Sequence, residues 1–194
     1  MKLRRLLYPH LNPRQLPVMI ALALAAALIA GLYGALHDQI TWSIGPEYFA
    51  KLKFHQFAWA DIGLPLRWHV AEIGFLATWW VGAIAGWFFA RAAISDSDSA
   101  IAIRRVIMAY GILLACALVG GSLGFLLGRA RASDSDFSNW DGYLLPLKIA
   151  QPDRFVWVAY VHNGSYLGGL VGLIAGMIWL AWVKRRKSKN PLPA

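Results

Sequence analysis

Four glycines recur at every fourth position, Gly164, Gly168, Gly172 and Gly176, inside an apolar run from Gly164 to Val183 that stops at Lys184-Arg185-Arg186-Lys187. An apolar run of about 20 residues closed by a basic cluster is the pattern of a helix that crosses a bilayer and halts there. Glycine at every fourth position clears one helical face of side chains, so a second helix can approach it backbone to backbone. The chain is thereby directed to a membrane-embedded, closely packed helical fold.

Composition agrees. Of 194 residues, 58% are hydrophobic and only 15% charged, against about 25% charged in an ordinary soluble domain. The net charge of +9 does not point to nucleic acid. The basic residues flank apolar segments, and no basic motif is interleaved with aromatics. The single cysteine, Cys116, excludes an intramolecular disulfide and a multi-cysteine metal site.

Four spans are expected, at about 17–36, 68–89, 106–127 and 155–183, each long enough for about 30 Å of hydrocarbon at about 1.5 Å per residue. The first reads as an uncleaved signal anchor, because its apolar run is too long for a signal peptide and no clean small-x-small cleavage site precedes the polar His37-Asp38-Gln39. The expected architecture is an all-α integral membrane bundle of four transmembrane helices, with a basic N-terminal segment (1–16), one domain (17–183) and a basic tail (184–194). With the N-terminus inside, the inner segments hold Lys2, Arg4, Arg5, Arg14, Arg91, Arg104, Arg105, Lys184, Arg185, Arg186, Lys187 and Lys189. The longer outer loops hold only Lys51, Lys53, Arg67, Arg129, Arg131, Lys148 and Arg154. The positive-inside rule therefore places both termini on the cytoplasmic side of the membrane.

The small-residue spacing is shared. The third span has Cys116, Gly120, Gly124 and Gly128, the second Gly74, Thr78, Gly82, Gly86 and Ala90, the first Ala23, Ala27, Gly31 and Ala35. The simplest reading is mutual packing through Gly120, Gly124, Gly164, Gly168, Gly172 and Gly176; the alternative sets one strip against a membrane-protein partner or a second copy of the chain.

Polar residues gather on the outer side. The first loop opens at His37-Asp38-Gln39, followed by Thr41 and Ser43, and the fourth span enters with Tyr160, His162, Asn163 and Tyr166. Ser43 reads as a helix cap with Pro46 in the first turn, giving a short interfacial helix through Tyr48 and Phe49. The alternation Lys51-Leu52-Lys53-Phe54-His55 reads as an extended segment on the headgroups. His69 and Glu72 share a helical face, and Glu72 should pair with Arg67 or His69. Glu72 is the only acid within a span, which excludes a carboxylate-bridged diiron site. A mononuclear metal site from His37, Asp38, His69 and His162 stands beside a hydrogen-bond network as the reading of this cluster. Ser133-Asp134-Ser135-Asp136 lacks the spacing of a calcium loop and reads as solvated. The Asn163-Gly164-Ser165 sequon lies against the bilayer and is discounted as a glycosylation acceptor.

The string His37-Asp38-Gln39-x-Thr41-x-Ser43-Ile44-x-Pro46-Glu47-Tyr48-Phe49, followed by Lys51, Lys53-Phe54 and Gln56-Phe57, with Gly74 to Trp80 and His162-Asn163-x-Ser165-Tyr166-Leu167-Gly168-Gly169, resembles an uncharacterised family of small four-helix bacterial inner-membrane proteins. The resemblance covers about residues 30–185 and brings no activity with it. His69 and Glu72 lie outside the shared pattern, so it concentrates the expected site on His37, Asp38, Gln39, Thr41, Glu47, His162 and Asn163.

The functional expectation is a binding or accessory subunit in the lipid bilayer, using a polar outer cap of His37, Asp38, Gln39, Thr41, Ser43, Glu47, Tyr48, Lys51, Arg67, His162, Asn163 and Tyr166. The alternative is a metal- or haem-dependent membrane enzyme using the outer histidines. The third reading is a small-solute transporter, which requires a water-filled crevice and a broken helix, sought at His162-Asn163. The residues alone name no cofactor.

Overall fold

The computed structural model describes residues 13–94, 99–133 and 137–189. Four long helices dominate: α1 (Leu16–Ile44), α2 (Leu66–Ile94), α3 (Ser99–Ser133) and α4 (Pro152–Lys189), with no strand among the described residues. All four are long and apolar enough to cross a membrane, and the expected spans fall inside them. The chain is an all-α, multi-pass membrane protein whose apolar outer surface contacts lipid.

The helices associate as two tight pairs, α1 with α2 and α3 with α4, and the pairs touch each other far less. Glycine makes each pair. A Cβ on Gly164 would strike the Gly120 carbonyl, and one on Gly120 the Gly164 carbonyl. Gly124 meets Tyr160, Gly168 meets Cys116, Gly172 meets Leu113, and Gly176 meets Phe89 and Ala109. In α1 and α2, Gly34 and Gly74 face each other in the same way. With lipid as solvent there is little hydrophobic drive between helices, so this close dispersion contact holds each pair. The ladder is thus spent inside the chain.

Two clusters join the pairs. Near the chain termini, Met19, Ala26, Phe89, Ala90, Val106, Tyr110 and Leu180 bring all four helices together, and the Tyr110 hydroxyl donates to the Ala26 carbonyl at 2.8 Å. At the opposite end, Tyr48, Phe49, Val70, Leu144, Phe155 and Val158 pack the loops onto α2 and α4. The bundle is closed at both ends and open between them.

Several local expectations are corrected. α1 does not end near residue 36 but runs to Ile44, so His37, Asp38, Gln39 and Thr41 are helical rather than loop residues. Hydropathy marks where hydrocarbon stops, not where the backbone bonds stop; here Thr41 Oγ1 donates to the His37 carbonyl at 3.1 Å and Ser43 Oγ to the Gln39 carbonyl at 3.0 Å. Ser43 is therefore not a cap; Gly45 flanks the break, and Pro46 opens the short helical turn Pro46–Tyr48. The segment 51–55 is not extended: Phe49–Lys53 forms a π-turn that continues into Phe54–Gln56, which turns Lys53 inward while Lys51 stays exposed. α4 is continuous through His162 and Asn163, so the helix break required by a transporter is not at that place. Of the acidic-serine loop, residues 134–136 lie outside the described residues.

Candidate functional site

The site begins with two polar positions that face inward across the pairs. Asp38, on α1, is 4% exposed, and His162, on α4, is 3% exposed. Asp38 Oδ1 lies within hydrogen-bond distance of His37 Nδ1 at 3.1 Å and of His162 Nε2 at 3.2 Å. The His162 ring is fixed on its other side by Nδ1, which donates to the Val158 carbonyl at 2.9 Å. The other nitrogen of His37, Nε2, meets Ser165 Oγ at 3.2 Å. Tyr48 lies over the His162 ring at 4.8 Å between centroids, and the His37 ring meets it edge-on, also at 4.8 Å.

The tautomers follow from these partners. A carbonyl only accepts, so Nδ1 of His162 carries a proton, and Nε2 meets Asp38 either as the second N–H of an imidazolium donating to the carboxylate or as a lone pair accepting from a protonated carboxyl. A buried carboxylate between two imidazoles is a high-stakes arrangement: each group is costly to bury alone and acceptable only when paired.

This cluster lies at one end of a cavity of about 880 Å³ between the two helix pairs. The polar end is lined by Tyr33, His37, Asp38, Lys53, His162 and Ser165; the rest is mostly apolar, from Ala30, Ala77 and Ala85 across to Leu113, Ala117 and Leu173. Trp80, Ile84, Tyr166 and Leu170 line the cavity and are also about half exposed on the lipid-facing surface.

Lys53 was not expected at the site. Its ammonium lies over the rings of Tyr48 and Phe57, at 5.9 and 5.8 Å from their centroids, and the residue is buried. Burial pushes its pKa below the ordinary lysine value, while the nearby Asp38 pulls the other way. Burial likewise raises the Tyr48 phenol.

No family model, curated protein or solved structure matches the chain.

The other expected residues serve different ends. Gln39, Ser43 and Arg67 form a latch between α1 and α2: Gln39 Nε2 donates to the Arg67 carbonyl at 2.7 Å, and Arg67 Nη1 reaches Ser43 Oγ at 3.3 Å. The Glu47 carboxylate accepts from the backbone amides of Ala150 (3.1 Å) and Gln151 (2.7 Å), just ahead of α4. Thr41 bonds its own helix. Lys51 and Asn163 are exposed and do not line the cavity. His69 does not join the His37 cluster; it pairs with Glu72 at 3.0 Å, the second of the two expected partners. Sequence reasoning missed Lys53, Ser165, Tyr33 and Thr78 as lining residues. Ser165 was detectable, since it follows His162 by three positions and so shares its helical face.

Proposed function

We propose that the chain is a polytopic bacterial inner-membrane protein that binds an amphipathic small molecule between its two helix pairs. The head of that molecule lies at His37, Asp38, Lys53, His162 and Ser165, and its apolar body lies along Ala77, Leu113, Ala117 and Leu173. The observation that carries this reading is the cavity itself. Its volume falls within the range of about 300–1,000 Å³ typical of small-molecule sites, which are mostly apolar with a few convergent polar groups. Trp80, Ile84, Tyr166 and Leu170 both line the cavity and are half exposed on the outer surface of the helices, which suits a ligand that arrives from the bilayer rather than from water. The head group is acidic or hydrogen-bonding, since the buried Lys53 on the cavity wall offers its ammonium donors there. The distribution of basic residues supports cytoplasmic termini, which directs the polar end of the cavity to the periplasmic side. With the glycine faces used inside the chain, a single copy is the binding unit.

The test is to purify the protein in a mild detergent and analyse extractable amphiphiles by mass spectrometry, beside Ala77→Trp and Leu114→Trp, which fill the apolar part. One amphiphile at near-stoichiometric level, reduced at least about tenfold in both variants (about 1.4 kcal/mol of affinity) with helical circular dichroism unchanged, supports the reading. Bulk phospholipid in membrane proportions, equal in all three proteins, overturns it.

A further inference from the structure

We propose that His37, Asp38 and His162 bind a divalent transition-metal ion, of the zinc or ferrous class, with the ion's remaining positions open to the cavity. This goes beyond the amphiphile reading and does not depend on what fills the apolar end.

The donor set is the first argument. Two imidazoles and one carboxylate suit zinc and ferrous iron, whereas calcium and magnesium prefer oxygen ligands alone. Geometry is the second. An ion bonded at about 2.1 Å to each ligand holds neighbouring ligand atoms about 3.0–3.5 Å apart. Asp38 Oδ1 stands 3.1 Å from His37 Nδ1 and 3.2 Å from His162 Nε2, and the three ligand atoms all lie within 4.8 Å of one another. The edge between the two histidines is the loosest, within 4.8 Å, and must shorten when both bind one ion.

The outward nitrogens are the third argument. A metal-binding histidine usually donates its other ring N–H to a carbonyl, carboxylate or water, which sets the tautomer and aims the lone pair. Here His162 Nδ1 is held by the Val158 carbonyl at 2.9 Å, and His37 Nε2 has Ser165 Oγ at 3.2 Å. Each ring thus has one nitrogen anchored outward and one facing the shared carboxylate. Without an ion, protons must sit between Asp38 and both rings; a cation replaces those protons and satisfies all three groups at once. Tyr33, also on the cavity wall, places a buried hydroxyl near Ser165 that makes no hydrogen bond of good geometry. It is a ready donor to a molecule bound on the open side of the ion.

The experiment uses the full chain, purified in detergent through a tag that contains no metal. Elemental analysis should find about one zinc or iron per chain. Cobalt titration of the chelator-stripped protein should give a saturable visible spectrum, with affinity falling as pH drops and the ligands protonate. Asp38→Asn and His162→Gln should each lower cobalt affinity more than about tenfold, and Ser165→Ala by about 10–100-fold, as partners behind metal ligands do. His69→Gln, His55→Gln and Ala77→Trp should retain it. The cobalt spectrum of the wild-type chain decides even where a variant fails to fold. No stoichiometric metal together with no saturable cobalt spectrum overturns the proposal, as does a loss in His69→Gln equal to that in His162→Gln. Metal retained by Ala77→Trp while its amphiphile is lost separates this site from the ligand reading.

Discussion

Asp38 Oδ1 and His162 Nε2 stand 3.2 Å apart, although 124 positions separate the two residues in sequence. This contact ties α1 to α4, and so one helix pair to the other, at the polar end of the cavity. The rings of Tyr48 and Phe49 pack beside His162 at that end.

Removing Asp38 leaves two imidazoles without the acceptor they share. Asp38→Ala is expected to destabilise the bundle by about 3 kcal/mol, as breaking a buried pair does, and Asp38→Asn by less. Tryptophan fluorescence during denaturant unfolding in micelles measures this. A loss below about 0.5 kcal/mol, the level of a neutral surface change, means that the contact does not hold the pairs together.

The glycines divide into two groups. Gly120→Ala and Gly164→Ala force a methyl group into a facing carbonyl, whereas Gly111 and Gly169 have open space where a Cβ would go. The first two substitutions should destabilise by about 1–3 kcal/mol through overpacking. Gly111→Ala and Gly169→Ala should be neutral or stabilising by up to about 1 kcal/mol, because alanine is the better helix former. Thermal unfolding of the four variants checks the contrast; equal effects in all four would show that the strips are not close-packed.

Glu47 acts on α4 from a distance in sequence. Its carboxylate accepts the Ala150 and Gln151 amides, which is the role of a helix cap supplied by another segment. Glu47→Ala should cost about 1 kcal/mol, the usual value of a lost cap, and hydrogen exchange at those two amides should accelerate. Unchanged exchange there would remove the assignment.

Lys53 confers a pH dependence with a definite sign. Its folded pKa is lowered from 10.5, with burial as the main cause. Between the lowered value and 10.5 the unfolded chain holds the proton and the folded chain does not, so stability rises with pH across that window. Below the lowered value both forms are protonated, and the full burial penalty applies. Lys53→Met should therefore raise stability at neutral pH and flatten the rise toward 10.5. Melting temperatures over that range test it; a wild-type curve that falls with pH, with no difference from Lys53→Met, contradicts the burial of a charged lysine.

Much of the architecture is legible along the chain because lipid imposes local rules. A span must be about 20 apolar residues with all backbone groups bonded internally, and so the four helices can be read from hydropathy and their basic flanks. The small-residue strips are legible for the same reason, since Gly164 and Gly120 recur at a spacing that only a helix converts into a face. The end of α1 was misread because His37, Asp38 and Gln39 are polar enough to signal water, yet their helix continues under the loops to Ile44. Lys53 was misread because alternation predicts sides for a strand, and a π-turn turns its side chain inward.

The sequence by itself determined that this protein spans a bilayer four times, that its helices touch through glycine, and that its histidines lie mostly at one end. Only the tertiary structure decided which helices pair and that a cavity separates the pairs. It also brought His37, Asp38 and His162 together while His69 turned to Glu72. The physical reason is range. Membrane insertion and helix formation depend on neighbours within one span, whereas a shared carboxylate and a cavity wall are made by residues more than a hundred positions apart that no local pattern connects.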